Sequence, residues 1–296
     1  MKIKQIAEDF IVKEVLKLKL CDGPYNYYLL KKKNWNTLDV INRLTEKGYE
    51  IGYAGLKDRN AITEQYISIH KKKLNFTLKD CEFEFLGSGK ERINQGDLQG
   101  NEFIITIRYL DEKLNDVKQI VNYFGEQRFS EHNVEMGKCL VKKDFKKVCE
   151  LLELDAEGND FVNCLRRFGL KKLKLFVHAY QSYLWNLVAK QLVDNEGVKI
   201  GDKLPIFGFL TKDERYEEII KNEEITRKDF IIRPIPELSS EGSDRDIIVE
   251  VKDFKTLEFC EDELNQGKKK QVVSFYLPKG CYATIVVLQM IQVQQV

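Results

Sequence analysis

Gly52-Tyr53-Ala54-Gly55-Leu56-Lys57-Asp58-Arg59, followed by Ala61-Ile62-Thr63-Glu64-Gln65-Tyr66-Ile67-Ser68-Ile69-His70, is the stretch on which the fold turns. A short apolar run from Glu50 to Ala54 ends in a glycine-punctuated loop, and a second strand follows from Gln65. In that strand Tyr66 and Ser68 take one face and Ile67 and Ile69 the other, the period of two that a half-buried strand requires. The loop holds an acid, Asp58, between two bases, Lys57 and Arg59. A strand end is where a sheet protein presents a reactive group, and flanking positive charge favours a carboxylate. Alone, Lys-Asp-Arg in a turn reads first as a surface salt-bridge cluster, and the loop is a weak signal.

Outward from this loop the first 110 residues are strand-like. Lys17 to Leu20 alternates, Tyr25 to Leu30 is aromatic and apolar, and Phe103, Ile105, Ile107 and Tyr109 share a strand face. One helix interrupts the series, with Thr37 as N-cap, Leu38, Ile41 and Leu44 as its apolar stripe, and Gly48 as its stop. From about 114 to 193 the period becomes helical, in three stripes. These are Val117, Ile120, Val121 and Phe124; Leu140, Val141, Phe145, Val148 and Leu152; and Phe176, Val177, Tyr180, Leu184, Leu187 and Val188. Residues 204 to 240 are irregular. Strands return at Asp246 to Val251 and Gln271 to Leu277, before a final apolar stretch after Tyr282. The expected class is α+β, a sheet domain interrupted by a mainly helical insertion, with segments 1–134, 135–242 and 243–296.

Composition limits function. With 43% hydrophobic and 32% charged residues among 296, the chain buries a real core. The net charge of +1 carries no global nucleic-acid signature, but positive charge is clustered at Lys31-Lys32-Lys33, Lys71-Lys72-Lys73, Arg166-Arg167 with Lys171-Lys172 and Lys174, and Lys268-Lys269-Lys270. One such run is a solvated face; several together favour a polyanion. The seven cysteines are scattered with no Cys-x-x-Cys pair, which argues against disulfides and structural zinc. No signal peptide and no apolar run of ~20 residues is present, so a cytoplasmic monomer with no membrane contact is expected.

Three further segments hold chemistry. In Leu98-Gln99-Gly100-Asn101-Glu102-Phe103, Asn101 offers a donor and an acceptor to a base edge, and Phe103 a flat surface or simply a core residue. In Asn122-Tyr123-Phe124-Gly125-Glu126-Gln127-Arg128-Phe129, Gly125 reads as a helix stop and Arg128 clamps either a phosphate or a loop carboxylate. In Phe275-Tyr276-Leu277-Pro278-Lys279-Gly280-Cys281-Tyr282-Ala283-Thr284, Pro-Lys-Gly turns the chain and Tyr282 is a stacking platform or core filler.

Together these segments resemble the TruD family of pseudouridine synthases. The similarity includes the acid loop, Gly-Asn-x-Phe before a strand, Asn-Tyr-Phe-Gly-x-Gln-Arg-Phe, and Leu-Pro-x-Gly-x-aromatic-Ala-Thr. It also includes the opening Lys4 to Phe10 and Ala179-Tyr180-Gln181-Ser182-Tyr183-Leu184-Trp185-Asn186. Motifs in one order from residue 4 to about 285 are far more specific than any one alone. The resemblance implies a pseudouridine synthase catalytic domain split by the family's insertion, acting on tRNA, most often at uridine 13, without cofactor or metal. It assigns Asp58 as the catalytic aspartate, Lys4 as its basic partner, and Asn101, Phe103 and Tyr282 as positions around the target base. Lys57, Arg59 and Arg128 are further substrate-binding candidates. The alternatives are another RNA site or a non-catalytic RNA-binding module; a retaining glycosidase or nucleosidase needs a second carboxylate, for which Glu64 is the near candidate. The chain departs from the family at Leu288-Gln289, where Arg-Glu is common, at Arg92-Ile93-Asn94, where Lys-Leu-Arg is usual, and at Ser130, where glycine is usual. Two basic groups are thus missing while the aspartate is kept.

Overall fold

The computed structural model describes residues 1–130, 132–195 and 197–294. In chain order the elements begin with β1 (Phe10–Val15), β2 (Tyr25–Lys33), α1 (Thr37–Glu46), β3 (Ile51–Tyr53), β4 (Ile62–His70), β5 (Cys81–Gly89) and β6 (Gly100–Leu110). Then come β7 (Gln119–Val121), α2 (Asn133–Val141), α3 (Phe145–Leu151), α4 (Phe161–Phe168), α5 (Leu170–Asn195), β8 (Lys203–Ile206), α6 (Glu217–Asn222), β9 (Ser243–Asp246) and β10 (Ile248–Glu250). The chain closes with β11 (Lys252–Glu261), β12 (Lys269–Pro278) and α7 (Ala283–Gln294). Two compact units result, one of residues 1–118 with 250–296 and one of 119–249.

The first unit is built on an eight-stranded mixed sheet in the order β11-β12-β6-β1-β4-β2-β5, with β3 pairing off β4. Only β1 against β4 is parallel among the registers described; β6 pairs antiparallel with β1 and β12 antiparallel with β6, with Val12 opposite Phe103 and Phe103 opposite Phe275. One face is apolar because alternation places Val12, Phe103, Ile105, Ile107, Ile67 and Ile69 on it, all buried. Helix α1 lies over Tyr28, Leu30, Ile67 and Ile69 with Val40, Ile41 and Leu44.

The second unit is mainly helical, with the 26-residue α5 carrying a buried row from Leu173 to Leu192. It starts at Gln119 on a strand, because the Val117-to-Phe124 stripe is not a helix: Ile120 and Val121 belong to β7, which pairs with β10. The second stripe is also broken. Lys143 adopts a positive φ of 62° and Asp144 caps α3 through Lys147 N, which divides Leu140–Leu152 between two helices. Smaller corrections follow similar physics. Asn36, not Thr37, caps α1, and Leu38 points outward while Val40 takes the inner place. Residues 17–20 form no strand. Gly125 precedes a short 3-10 turn rather than ending a helix. No helix among the described residues is long and apolar enough to cross a membrane.

Candidate active site

The acid loop, residues 54–61, is fixed along its length by groups from the sheet, from α1 and from the turn before β6. It begins where Gly52 lets the backbone of Ile93 approach so closely that any Cβ would collide with it. Gly96 N donates to Ala54 O at 2.8 Å and Gln65 Nε2 to Gly55 O at 3.2 Å. The Thr37 hydroxyl donates to Gln65 Oε1 at 2.8 Å and accepts from Lys57 N at 3.0 Å. Lys57 itself forms a buried ion pair with Glu14 on β1, which also accepts from Tyr66 N. Beyond it, Lys32 Nζ donates to Trp35 O at 2.6 Å and Asp58 O at 3.1 Å. Burial pushes the Lys32 ammonium down to about 8, against the raising influence of Cys81 and Asp58. The backbone of Asp58 is therefore held, while its side chain stays 45% exposed.

Lys4 meets that carboxylate, its Nζ donating to Asp58 Oδ2 in an ion pair. The lysine lies over the Phe10 ring at 4.0 Å and has a positive φ of 56°. Such a backbone persists only when its surroundings over-determine it. Here Lys2 and Arg108 exchange both backbone hydrogen bonds at 2.8 Å, and Asp9 Oδ2 accepts from Gln5 N and Ile6 N at 3.0 and 3.1 Å. Asp9 is in turn held by Arg108 Nε at 2.8 Å, and the other guanidinium nitrogens bind Asp262 and Glu263 at 2.7 and 2.9 Å. Asp9, Arg108 and Asp262 are all buried. A buried carboxylate–guanidinium network thus anchors the turn that aims Lys4.

The remaining sequence candidates are dispersed in role. Lys57 places its ammonium on Glu14, and with a side chain 4% exposed it braces the loop from within. The Phe103 ring is buried, with its centroid 6.1 Å from Phe10 and 5.4 Å from Phe275. Arg59 is exposed on the loop and makes no ion pair among the described residues. Asn101 sits opposite Glu14 across the β1–β6 ladder, and its buried Oδ1 has no hydrogen-bond partner among the described residues. Such a buried orphan acceptor calls for a ligand or water. Tyr282 is half-buried at the start of α7, after a turn tied to the loop region by Lys279 N to Gln99 O at 3.0 Å and Lys279 Nζ to Gly96 O at 2.8 Å. Arg128 belongs to the second unit, where its Nε donates to Ser182 Oγ at 2.8 Å.

Lys32, Glu14, Thr37 and the Asp9–Arg108 pair were not evident as site residues from sequence. The signal for Lys32 was present, because Tyr28, Leu30 and Lys32 share one inward face of β2 by alternation. The lysine runs also lose much of their meaning. Lys31 pairs with Glu84 at 3.1 Å and Lys33 with Glu8, while Arg166 forks onto Glu237 at 2.9 and 3.1 Å. Lys268 pairs with Asp111 and Lys270 with Glu263. These five charges are locally neutralised, whereas Lys71, Lys73, Arg167, Lys171 and Lys174 form no ion pair among the described residues. Among the described residues no group of three or more His, Cys, Asp or Glu is arranged to hold a metal ion.

The chain is similar to known proteins over most of its length. The family profile described as tRNA pseudouridine synthase D (TruD) matches residues 1–154 and 203–290. A "Probable tRNA pseudouridine synthase D" of Methanosarcina acetivorans is 28% identical, the match covering 99% of this chain and 92% of that protein. A second, "Probable tRNA pseudouridine synthase D 2" of Methanocaldococcus jannaschii, is 30% identical over 97% of this chain and 90% of its own. A crystal structure from Methanosarcina mazei bearing the TruD name superposes with a TM-score of 0.73 at 25% identity, covering 96% of this chain and 92% of that one. The first alignment runs over 414 positions against 296 residues here, so this chain is an internally shortened relative. Matched by the family profile through most of its length, the chain belongs to the TruD family of tRNA pseudouridine synthases.

Proposed function

We propose that this isomerase converts one uridine of tRNA, uridine 13, to pseudouridine with Asp58 as the reacting carboxylate. The observation that carries the reading is the Lys4–Asp58 pair: a solvent-facing carboxylate whose backbone is held from the sheet interior and whose cationic partner is anchored by a buried network. Isomerisation breaks the bond from ribose C1′ to N1 of uracil, turns the base, and forms the bond from C1′ to C5. The C5 proton leaves and N1 regains one, so no oxidant, reductant or leaving group enters the balance. Asp58 either adds to C6 of the base, attacks C1′, or removes a 2′ proton to give a glycal.

Each neighbour has a chemical task in this scheme. Lys4 orients the carboxylate and offsets its charge. Asn101 Oδ1, lacking a protein partner, accepts from the N3–H of uracil. Tyr282 replaces the stacking that the base loses when it leaves the helix, as chemistry on a base demands. Phe103 supports Phe10 beneath Lys4 rather than touching substrate. Arg59 and Arg128 contact phosphates, which position the RNA without reading its sequence. Incubating the protein with unmodified tRNA and mapping pseudouridine by carbodiimide modification tests the reading. It expects a single stop at position 13, absent when that uridine is replaced by cytidine. Release of free uracil would mean a hydrolase, and binding without conversion would mean a recognition module.

A further inference from the structure

The second unit contains a cavity of about 400 Å³, lined by Arg128, His178, Gln181, Ser182 and the loop from Ser239 to Ser243. Its hydrogen bonding is one-sided. Gln181 Nε2 donates to Ser240 Oγ at 2.8 Å, and Ile232 N donates to Ser239 Oγ at 2.9 Å. Each serine oxygen thus already accepts, and its own proton remains to be given. Arg128 spends only Nε, on Ser182 Oγ, which passes its proton to His178 O at 2.7 Å. The guanidinium lies over the Phe124 ring at 5.2 Å, and its two terminal nitrogens have no protein acceptor among the described residues. One carboxylate, that of exposed Glu241, belongs to the lining as well.

The wall is preformed. Gly242 has a positive φ of 95°, and a Cβ there would collide with Ile206 O. Phe209 N donates to Ser240 O at 2.9 Å and Leu210 N to Glu241 O at 3.3 Å, tying the serine loop to the preceding turn. A fixed guanidinium fork, two hydroxyl donors and an imidazole suit a ligand that only accepts, with tetrahedral oxygens in bidentate reach. The surroundings are positive too: desolvation first, then Arg128 and Lys174, lower the His178 pKa.

We infer that this cavity binds a backbone phosphodiester of the RNA, separately from the chemistry at Asp58. The inference rests on the proposed RNA substrate, and the cavity volume leaves room for the attached ribose. Full-length protein with unmodified tRNA tests it by two readouts. Arg128→Met should weaken tRNA binding about tenfold and lower the magnitude of the slope of log affinity against log salt by about 0.7–0.9, the scale of one phosphate contact on single- or double-stranded nucleic acid. Arg128→Lys should restore the slope but not the full affinity, because the charge returns without the fork. The chain has three histidines, so His178 can be followed by NMR. Saturating tRNA should raise its pKa, while inorganic phosphate at the same concentration should leave it in place. Unchanged affinity and slope in Arg128→Met overturn the inference, as does a His178 titration unmoved by bound tRNA. An equal response to inorganic phosphate overturns the RNA assignment. Pseudouridine formation with His178 unmoved removes this inference alone, whereas absence of tRNA binding by the unaltered protein removes the functional reading with it.

Discussion

The ammonium of Lys32 reaches the backbone carbonyl of Asp58 at 3.1 Å from inside the sheet, where the lysine is 2% exposed and pairs with no carboxylate among the described residues. The folded state therefore carries a buried charge to hold the candidate catalytic loop. Burial lowers its pKa from 10.5 to about 8. Between those values the unfolded chain binds more protons than the folded one, so unfolding free energy from this group rises with pH across that window. Below pH 8 the penalty is constant. We predict a gain of at most about 3 kcal/mol by pH 10.5, at 1.36 kcal/mol per unit. Urea titrations of Lys32→Met should lack this slope, and an identical slope in the variant would assign it elsewhere.

Asp262 and Asp9 grip Arg108 from two sides. Burial works against the Asp262 carboxylate, yet donors from Tyr109, Leu264, Asn265 and Arg108 bring its pKa down to about 2. Its stabilising contribution is therefore complete above the ordinary carboxylate range and is lost as pH falls toward 2. Asp262→Ala should cost about 3–5 kcal/mol in urea unfolding, the scale for removing one partner of a buried pair. Asp9→Asn should keep tRNA affinity but reduce saturated turnover roughly a hundredfold, because a misaimed Lys4 is an error of about 1 Å at the reacting group. Equal losses in binding and turnover would reduce Asp9 to a scaffold residue.

Arg166 is committed to Glu237 through both terminal nitrogens. The pair is half exposed, so Arg166→Ala should change stability by less than about 1 kcal/mol. Filter-binding assays should find tRNA affinity essentially unchanged. A marked loss of affinity would return this run to the RNA surface.

How much of this was legible beforehand follows from what each residue's neighbours in sequence disclose. The acid loop announced itself because glycines, an acid between bases and an alternating strand coincide within twenty residues. Lys32 did not, because a run of three lysines hides one inward-facing member, and only the pairing of β2 with β4 shows which. Ile120 and Val121 satisfy a helical stripe and a buried strand equally, and the choice is made by β10, far along the chain. Phe103 and Lys57 looked available because sequence records residue type and not cover; Phe275 and Glu14 supply that cover from distant strands. Arg108 reaches Asp9 and Asp262 across 99 and 154 residues, beyond any local pattern.

Tyr282 immediately precedes α7 and is half-buried, beside the turn that Lys279 ties to Gly96. If its ring carries the stacking, Tyr282→Phe should be mild and Tyr282→Ala should lose roughly 1–3 kcal/mol of RNA affinity, the usual scale for one base–aromatic contact. A phenylalanine variant as poor as the alanine one would assign the work to the hydroxyl.

The central claim is that the Asp58 carboxylate reacts, and pseudouridine formation by folded Asp58→Asn under single-turnover conditions tests it most directly. Asparagine is nearly isosteric and tolerates turn conformations, and the backbone contact from Lys32 is untouched, so fold and tRNA binding should persist. Formation of pseudouridine should be abolished, because an amide is neither an adequate nucleophile nor a base. Asp58→Glu should fail as well, its extra methylene moving the carboxylate by about 1 Å. Conversion by Asp58→Asn near the rate of the unaltered protein would contradict the account and leave Asp58 a turn residue in a charged cluster.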